Sequence, residues 1–260
     1  MAVQMIRDIV YDPERELALD LLLPEGSGPF PVFVFFHGGG FEDYRQKDMG
    51  EPLGRELAEK GILCVLPAYR HLLKAQFPDF IEDGARAVAW TKAHIGEYAK
   101  TAGLYVGGHS AGGYLSMLLC FDDKYLAPCG LNPTRDIDGF LFLSGQPTTH
   151  FNVLKGEGLD PKTVVVDDRA PLYHVRPEGP PLLVLCTDHD ITNRLEQTEL
   201  FVATLRYFSY ASPVDYRILE GYSHNNYLFP DARKPEKPSL GSRIIAEFIE
   251  KTEKGRKEEK

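Results

Sequence analysis

The sequence predicts an α/β protein built on a mainly parallel sheet with helices on both faces. Three observations carry that expectation. Short apolar runs alternate with amphipathic stretches along nearly the whole chain, the pattern left by successive strand–helix units. Several runs, such as Val32-Phe33-Val34-Phe35-Phe36, are apolar at consecutive positions, as strands covered on both faces require. Residues capable of chemistry follow directly on the ends of these runs, where open α/β sheets bind their ligands.

The elements follow in order. Met5–Tyr11 and Glu16–Leu23 read as an antiparallel pair joined by the turn Asp12-Pro13-Glu14-Arg15. After the strand at 32–36, helical periodicity runs from about Met49 to Lys60, and Ile62–Leu66 is the next strand. Phe80 to Tyr98 reads as an amphipathic helix with Ile81, Ala85, Val88, Ala89 and Trp90 on or near one face. Leu104–Val106 is a strand and Gly113–Phe121 a helix; Gly139–Leu143 and Pro181–Cys186 are strands. Leu195–Phe208 (helix), Val214–Leu219 (strand) and Ile244–Lys251 (helix) complete the pattern, and the charged stretch Lys254–Lys260 is expected to fray. This makes eight strands, with no internal repeat and no low-complexity tract.

Bulk properties narrow the function classes. The chain has 260 residues, 43% hydrophobic and 26% charged, enough for one large α/β domain. A formal net charge of −9 argues against nucleic acid and anionic membrane surfaces as partners, which leaves a small molecule. No apolar stretch has the length of a transmembrane helix, and Met1–Asp8 lacks the organisation of a signal peptide. Cys64 and Cys186 fall inside apolar runs, and Cys120 and Cys129 pair only if the loop between them folds back. That cysteine usage favours the cytoplasm. No Cys and His positions have zinc-site spacing, so no metal is expected.

The most specific motif is Gly108-His109-Ser110-Ala111-Gly112. It sits between an apolar run and an apolar helix, so it reads as strand, sharp turn, helix with the serine exposed on a strained backbone. Glycines two residues before and after leave room for that turn. A serine hydroxyl needs an adjacent base. His224, in Glu220-Gly221-Tyr222-Ser223-His224-Asn225, is the only histidine C-terminal to the acidic stretch Thr187-Asp188-His189-Asp190. The order Ser, Asp, His is that of elbow-type triads. Asp190 is the expected acid because it reaches further past the strand, with Asp188 as its rival. After the third strand, His37-Gly38-Gly39-Gly40-Phe41 offers backbone N–H groups to an oxyanion, and the helix after Ser110 aims its positive dipole end at the same place.

These residues together resemble the α/β-hydrolase family, and within it the esterases and lipases that carry an HGGG loop. The resemblance covers nearly the whole chain. It implies an α/β-hydrolase fold with a mostly parallel eight-stranded sheet, one domain over residues 1–260, and an oxyanion hole formed by Gly39, Gly40 and Ala111. Pro67-Ala68-Tyr69-Arg70, Phe77-Pro78 and Ile81-Glu82-Asp83 also look like small bacterial esterases of this kind; Asp83 reads as a structural carboxylate near a helix start. The short N-terminal segment and modest insert between Leu143 and Pro181 imply a minimal cap and an open, shallow site. Phe41, Tyr114, Gln146 and His150 are candidates to line it.

The expected activity is therefore that of a serine carboxylesterase, with Ser110 as nucleophile, His224 as base and Asp190 orienting the imidazole, and with no metal or cofactor. Activity should fall as pH drops through about 6–7, near the reference histidine value. The shape resembles esterases acting on acetyl or feruloyl groups of plant polysaccharides. Alternatives on the same scaffold are an arylformamidase or peptidase, and a non-catalytic small-molecule-binding protein.

Overall fold

The computed structural model describes residues 3–42, 46–72, 74–230 and 237–258. Its eight strands are β1 (Gln4–Asp12), β2 (Leu17–Leu23), β3 (Phe30–Phe36), β4 (Leu63–Pro67), β5 (Thr101–His109), β6 (Gly139–Leu143), β7 (Leu182–His189) and β8 (Val214–Ser223). They form one sheet in the order β1-β2-β4-β3-β5-β6-β7-β8. The β1–β2 and β2–β4 pairs are antiparallel, and from β4 onward every pair is parallel. The helices are α1 (Glu51–Ala58), α2 (Asp79–His94), α3 (Ala111–Phe121), α4 (Asp123–Leu126), α5 (Pro133–Asp136), α6 (Phe151–Gly156), α7 (Arg194–Tyr207) and α8 (Leu240–Glu258).

Alternation of side chains along each strand feeds two apolar layers, one per face. On β3, Val32, Val34 and Phe36 enter the layer that receives Phe80 and Ile81 of α2, Leu115 of α3 and Phe201 of α7. Phe33 and Phe35 enter the opposite layer with Leu53 and Leu57 of α1 and Ile245 and Phe248 of α8. A sheet filled from both sides explains why the central runs carry no polar residue between apolar ones.

Three short helices escaped the periodicity because their first turns rest on caps. Asp122 accepts from Lys124 N–H at the start of α4, and Asn132 accepts from Thr134 and Arg135 N–H at the start of α5. The ring of His150 accepts from Asn152 N–H at the start of α6. The last helix is longer than the apolar pattern suggested: α8 runs from Leu240 to Glu258, and only residues 259–260 of the stretch expected to fray lie outside the described residues. Glu253 accepts from Gly103 N–H at 3.1 Å and from the Tyr105 hydroxyl at 2.9 Å, and Arg256 pairs with Asp138 at 2.8 Å. Those contacts tie the charged end of α8 to the start of β5.

Candidate active site

The parallel register brings five strand ends to one rim. Phe36 aligns with Gly108, His109 with Leu143, Leu143 with Leu185, and His189 with Ser223. The residue that follows each end is His37, Ser110, Ser144, Asp190 and His224 respectively. Chain-distant groups therefore converge because the sheet ends there, as open α/β sheets dictate.

At the turn between β5 and α3, Ser110 has φ 55° and ψ −113°, a left-handed backbone that costs a non-glycine residue about 1–3 kcal/mol. The flanking glycines make that turn possible. A Cβ on Gly108 would lie 2.5 Å from the backbone of Gly112, and one on Gly113 would lie 2.7 Å from Gly145 Cα; no side chain fits such gaps. Ser110 N–H donates to Leu143 O at 2.9 Å, so the turn is pinned to β6. The side chain stays within reach of the rim, and the residue is 8% exposed.

The Ser110 hydroxyl lies 2.9 Å from His224 Nε2, and His224 Nδ1 lies 2.5 Å from Asp190 Oδ1. Ser110 thus donates to Nε2, while Nδ1–H donates to the carboxylate. Burial opposes the charge on Asp190, but hydrogen bonds from His224, Ser144 and the Ile191 N–H hold its carboxyl well below the usual range. Thr187 also donates to Asp190, at 3.0 Å. Asp188 points elsewhere, accepting from Gly221 N–H at 2.8 and 3.0 Å and facing His189 at 2.9 Å. Its geometry is that of a loop brace.

Two supports of this constellation had no signal in the sequence. His109, the second residue of the elbow motif, donates from Nε2 to His224 O at 2.8 Å. A carbonyl only accepts, so that nitrogen carries the proton. Burial, then repulsion from His224, lowers the ring to about 3, so it is neutral. The serine turn thereby holds the histidine loop directly. Below Asp190 lies Arg194, 2% exposed, which donates to Ser144 O and, at 3.3 Å, to Gln146 Oε1. Tyr227 donates to Ser144 Oγ at 3.2 Å. The Asp190 carboxylate acts electrostatically on this buried cation, favouring its charged form against the cost of burial.

The glycine loop is held as firmly. The Tyr69 hydroxyl donates to His37 O at 2.7 Å, and Leu72 N–H donates to Phe41 O at 2.8 Å. A Cβ on Gly38 would lie 3.3 Å from Ser110 Cβ, so the loop passes directly beside the serine. Gly39, Gly40 and Phe41 all have positive φ, at 107°, 64° and 62°. Ala111 opens α3, where the first N–H groups have no partner within the helix. A cavity of about 110 Å³ is lined by Phe35, His37, Gly38, Met49, Leu53 and His109, with Asn225, Leu228 and Phe229 from the segment after His224.

The residues expected to line a pocket sit deeper than the sequence suggested. Phe41 stacks on Phe80 at 4.1 Å and meets Tyr114 and His150 edge-on; Phe41, Tyr114 and His150 are all buried. Tyr114 donates to Arg169 O at 2.6 Å. Gln146 is buried, with Nε2 donating to Thr148 Oγ1 at 3.1 Å and Thr149 O at 2.9 Å. Their aromatic and amide groups pack inside the fold, Phe41, Tyr114 and Gln146 alike. Among the described residues, no group of three His, Cys, Asp or Glu side chains is arranged to hold a metal ion. Among these residues too, no helix is long and apolar enough to cross a membrane.

A mostly parallel sheet with a strained serine turn after β5 and an acid and a histidine after β7 and β8 is the α/β-hydrolase fold. The BD-FAE family model matches residues 19–127, a stretch that includes the glycine loop and the serine turn. The probable carboxylic ester hydrolase LipM of Mycobacterium tuberculosis is 29% identical over 242 residues, covering 85% of this chain and 55% of LipM. The chain thus spans just over half the length of that relative. A kynurenine formamidase of Danio rerio is 31% identical over 121 residues, 46% of this chain and 40% of its own. Among solved structures, a truncated carbohydrate esterase from gut microbiota superposes with a TM-score of 0.74 at 15% identity, covering 96% of both chains.

Proposed function

We propose that this protein is a serine carboxylesterase acting on small esters. The observation that carries the reading is the continuous Ser110–His224–Asp190 chain at 2.9 and 2.5 Å, set beside a glycine loop at the sheet rim. The carboxylic ester hydrolase among its relatives supports the same reaction. Ser110 attacks the ester carbonyl while His224 takes its proton. Asp190 keeps the imidazole in the tautomer with Nδ1–H and stabilises its charged form. The N–H groups of Gly39, Gly40 and Ala111 receive the oxyanion. His224 then protonates the leaving alcohol, and water repeats the cycle on the acyl-enzyme.

The single sheet and its single rim support reading the chain as one catalytic domain. All four cysteines are free thiols, which supports a reducing compartment such as the cytoplasm. The similarity to a kynurenine formamidase favours a formamide as the second substrate class to try. Steady-state turnover of p-nitrophenyl acetate, acetylated xylan, a feruloyl ester and N-formylkynurenine, with organophosphorus labelling of Ser110, tests the reading. Ester turnover with stoichiometric labelling is expected. Faster turnover of the formamide would reassign the bond, and an unlabelled, inert protein would point to a binding role.

A further inference from the structure

The turn 39–42 is built from parts that a flexible glycine loop does not need. Glu42 N–H donates to Gly39 O at 3.0 Å, closing a turn whose two central residues, Gly40 and Phe41, both have left-handed φ. That is the mirror-image turn usually given to glycine and asparagine. Peptide planarity sets C=O and N–H of one unit antiparallel. Engaging Gly39 O therefore turns the Gly40 N–H away from Glu42, and engaging Gly40 O fixes the next unit in the same way.

The partner of Gly40 O comes from the segment after β6. Asn152 of α6 donates from Nδ2 to Gly40 O at 2.7 Å, and a Cβ on Gly40 would lie 2.8 Å from that nitrogen. Asn152 is itself buried and rooted in a polar seam. Its N–H donates to His150 Nδ1 at 3.2 Å, Gln146 bridges Thr148 and Thr149, and Arg194 donates to Gln146 Oε1 and Ser144 O. The seam begins at Arg194 and Ser144 and ends at the glycine turn. Phe41 holds the other side: its ring is clamped by Phe80, Tyr114 and His150, which keeps a bulky residue in a conformation it otherwise avoids.

We propose that Asn152, with Phe41, is a positioning residue that locks the oxyanion turn. It acts on the reaction by fixing the Gly40–Phe41 peptide, and so the turn that carries the Gly39 and Gly40 amides, without touching the substrate. This rests on the esterase reading above. It makes the segment after β6 a brace for catalysis, where the sequence suggested only a modest insert.

The test uses the full chain with Asn152→Ala, the same-sized Asn152→Asp, and Lys155→Ala, which removes only the exposed Lys155–Glu42 pair between α6 and the turn. The measurements are kcat and KM for p-nitrophenyl acetate, inhibition by an aryl trifluoromethyl ketone, and the thermal midpoint. Losing a whole oxyanion donor costs about 10²–10³-fold in kcat, so loosening the turn should cost about 10–100-fold. KM should stay within about threefold, and ketone affinity should fall by the same factor as kcat, because its adduct places an oxyanion in the same spot. Asn152→Asp should lose more, since a carboxylate oxygen repels Gly40 O. Lys155→Ala should stay within about twofold. If Asn152→Ala fails to fold, the isosteric variant decides. A folded Asn152→Asp with wild-type kcat and ketone affinity overturns the proposal. Wild-type protein that neither turns over the ester nor takes an organophosphorus label overturns the esterase reading instead, and this proposal with it.

Discussion

Substituting single side chains separates the roles proposed for them. Ser110→Ala should lower kcat for an aryl ester by at least about 10³-fold with the thermal midpoint little changed, because alanine keeps the Cβ and the φ 55° backbone and removes only a rim hydroxyl. Asp190→Asn keeps the shape but removes the charge that orders His224, and kcat should drop by roughly 10³–10⁴-fold, measured at saturating substrate. Since hydrogen bonds hold the Asp190 carboxyl low, it stays ionised across the working range. The acid limb of kcat/KM against pH should then have a slope of one proton, and a slope of two would implicate a second group. At this scale the sequence was most legible where chemistry demands a fixed order of residues, as with Ser110, Asp190 and His224. It was least legible where polarity hides burial. Phe41 and Tyr114 adjoin motifs, and that their rings pack inward against each other is not written in the local sequence. Nothing local in the sequence marks His109 as the donor to His224 O, since that contact spans 115 positions.

Among the elements, the serine turn and the segment after β6 do the positioning. Gly108 shows how little slack the turn has. Gly108→Ala would force a Cβ to within 2.5 Å of Gly112 and 2.6 Å of Phe36 O, and overpacking of that kind typically costs about 1–3 kcal/mol or more. Reduced soluble yield and an earlier urea midpoint are expected, together with loss of turnover beyond what the unfolded fraction explains. Arg194→Met should destabilise by about 2–4 kcal/mol, read from urea unfolding, because Ser144 O and Gln146 Oε1 lose a charged donor inside the core. The long apolar strands and amphipathic helices were readable from periodicity alone. Residues 144–152 were not. Their polar composition reads as a loop, and hydrogen bonds to partners far along the chain offset the burial of Thr148, Thr149 and Asn152.

For the molecule as a whole, acid should loosen the fold before carboxylates are titrated. His109 and His150 are buried and neutral, and burial lowers both rings, His109 to about 3. Their folded values lie below the unfolded histidine value near 6.5, so the unfolded chain binds more protons once pH falls below it. Stability should be full above about pH 6.5 and decline as pH drops toward the folded values, by up to about 1.4 kcal/mol per pH unit for each ring. Urea titrations at pH 7, 6 and 5 should show midpoints falling in step, and a flat series would mean that these rings protonate in place. The attachment of α8 to β5 has a reach of its own. Glu253 satisfies the amide of Gly103 and the hydroxyl of Tyr105 at one end of the strand whose other end leads into Ser110. Cutting back that helix by two turns should therefore be felt at the reaction centre, on the opposite side of the molecule, as a less rigid serine.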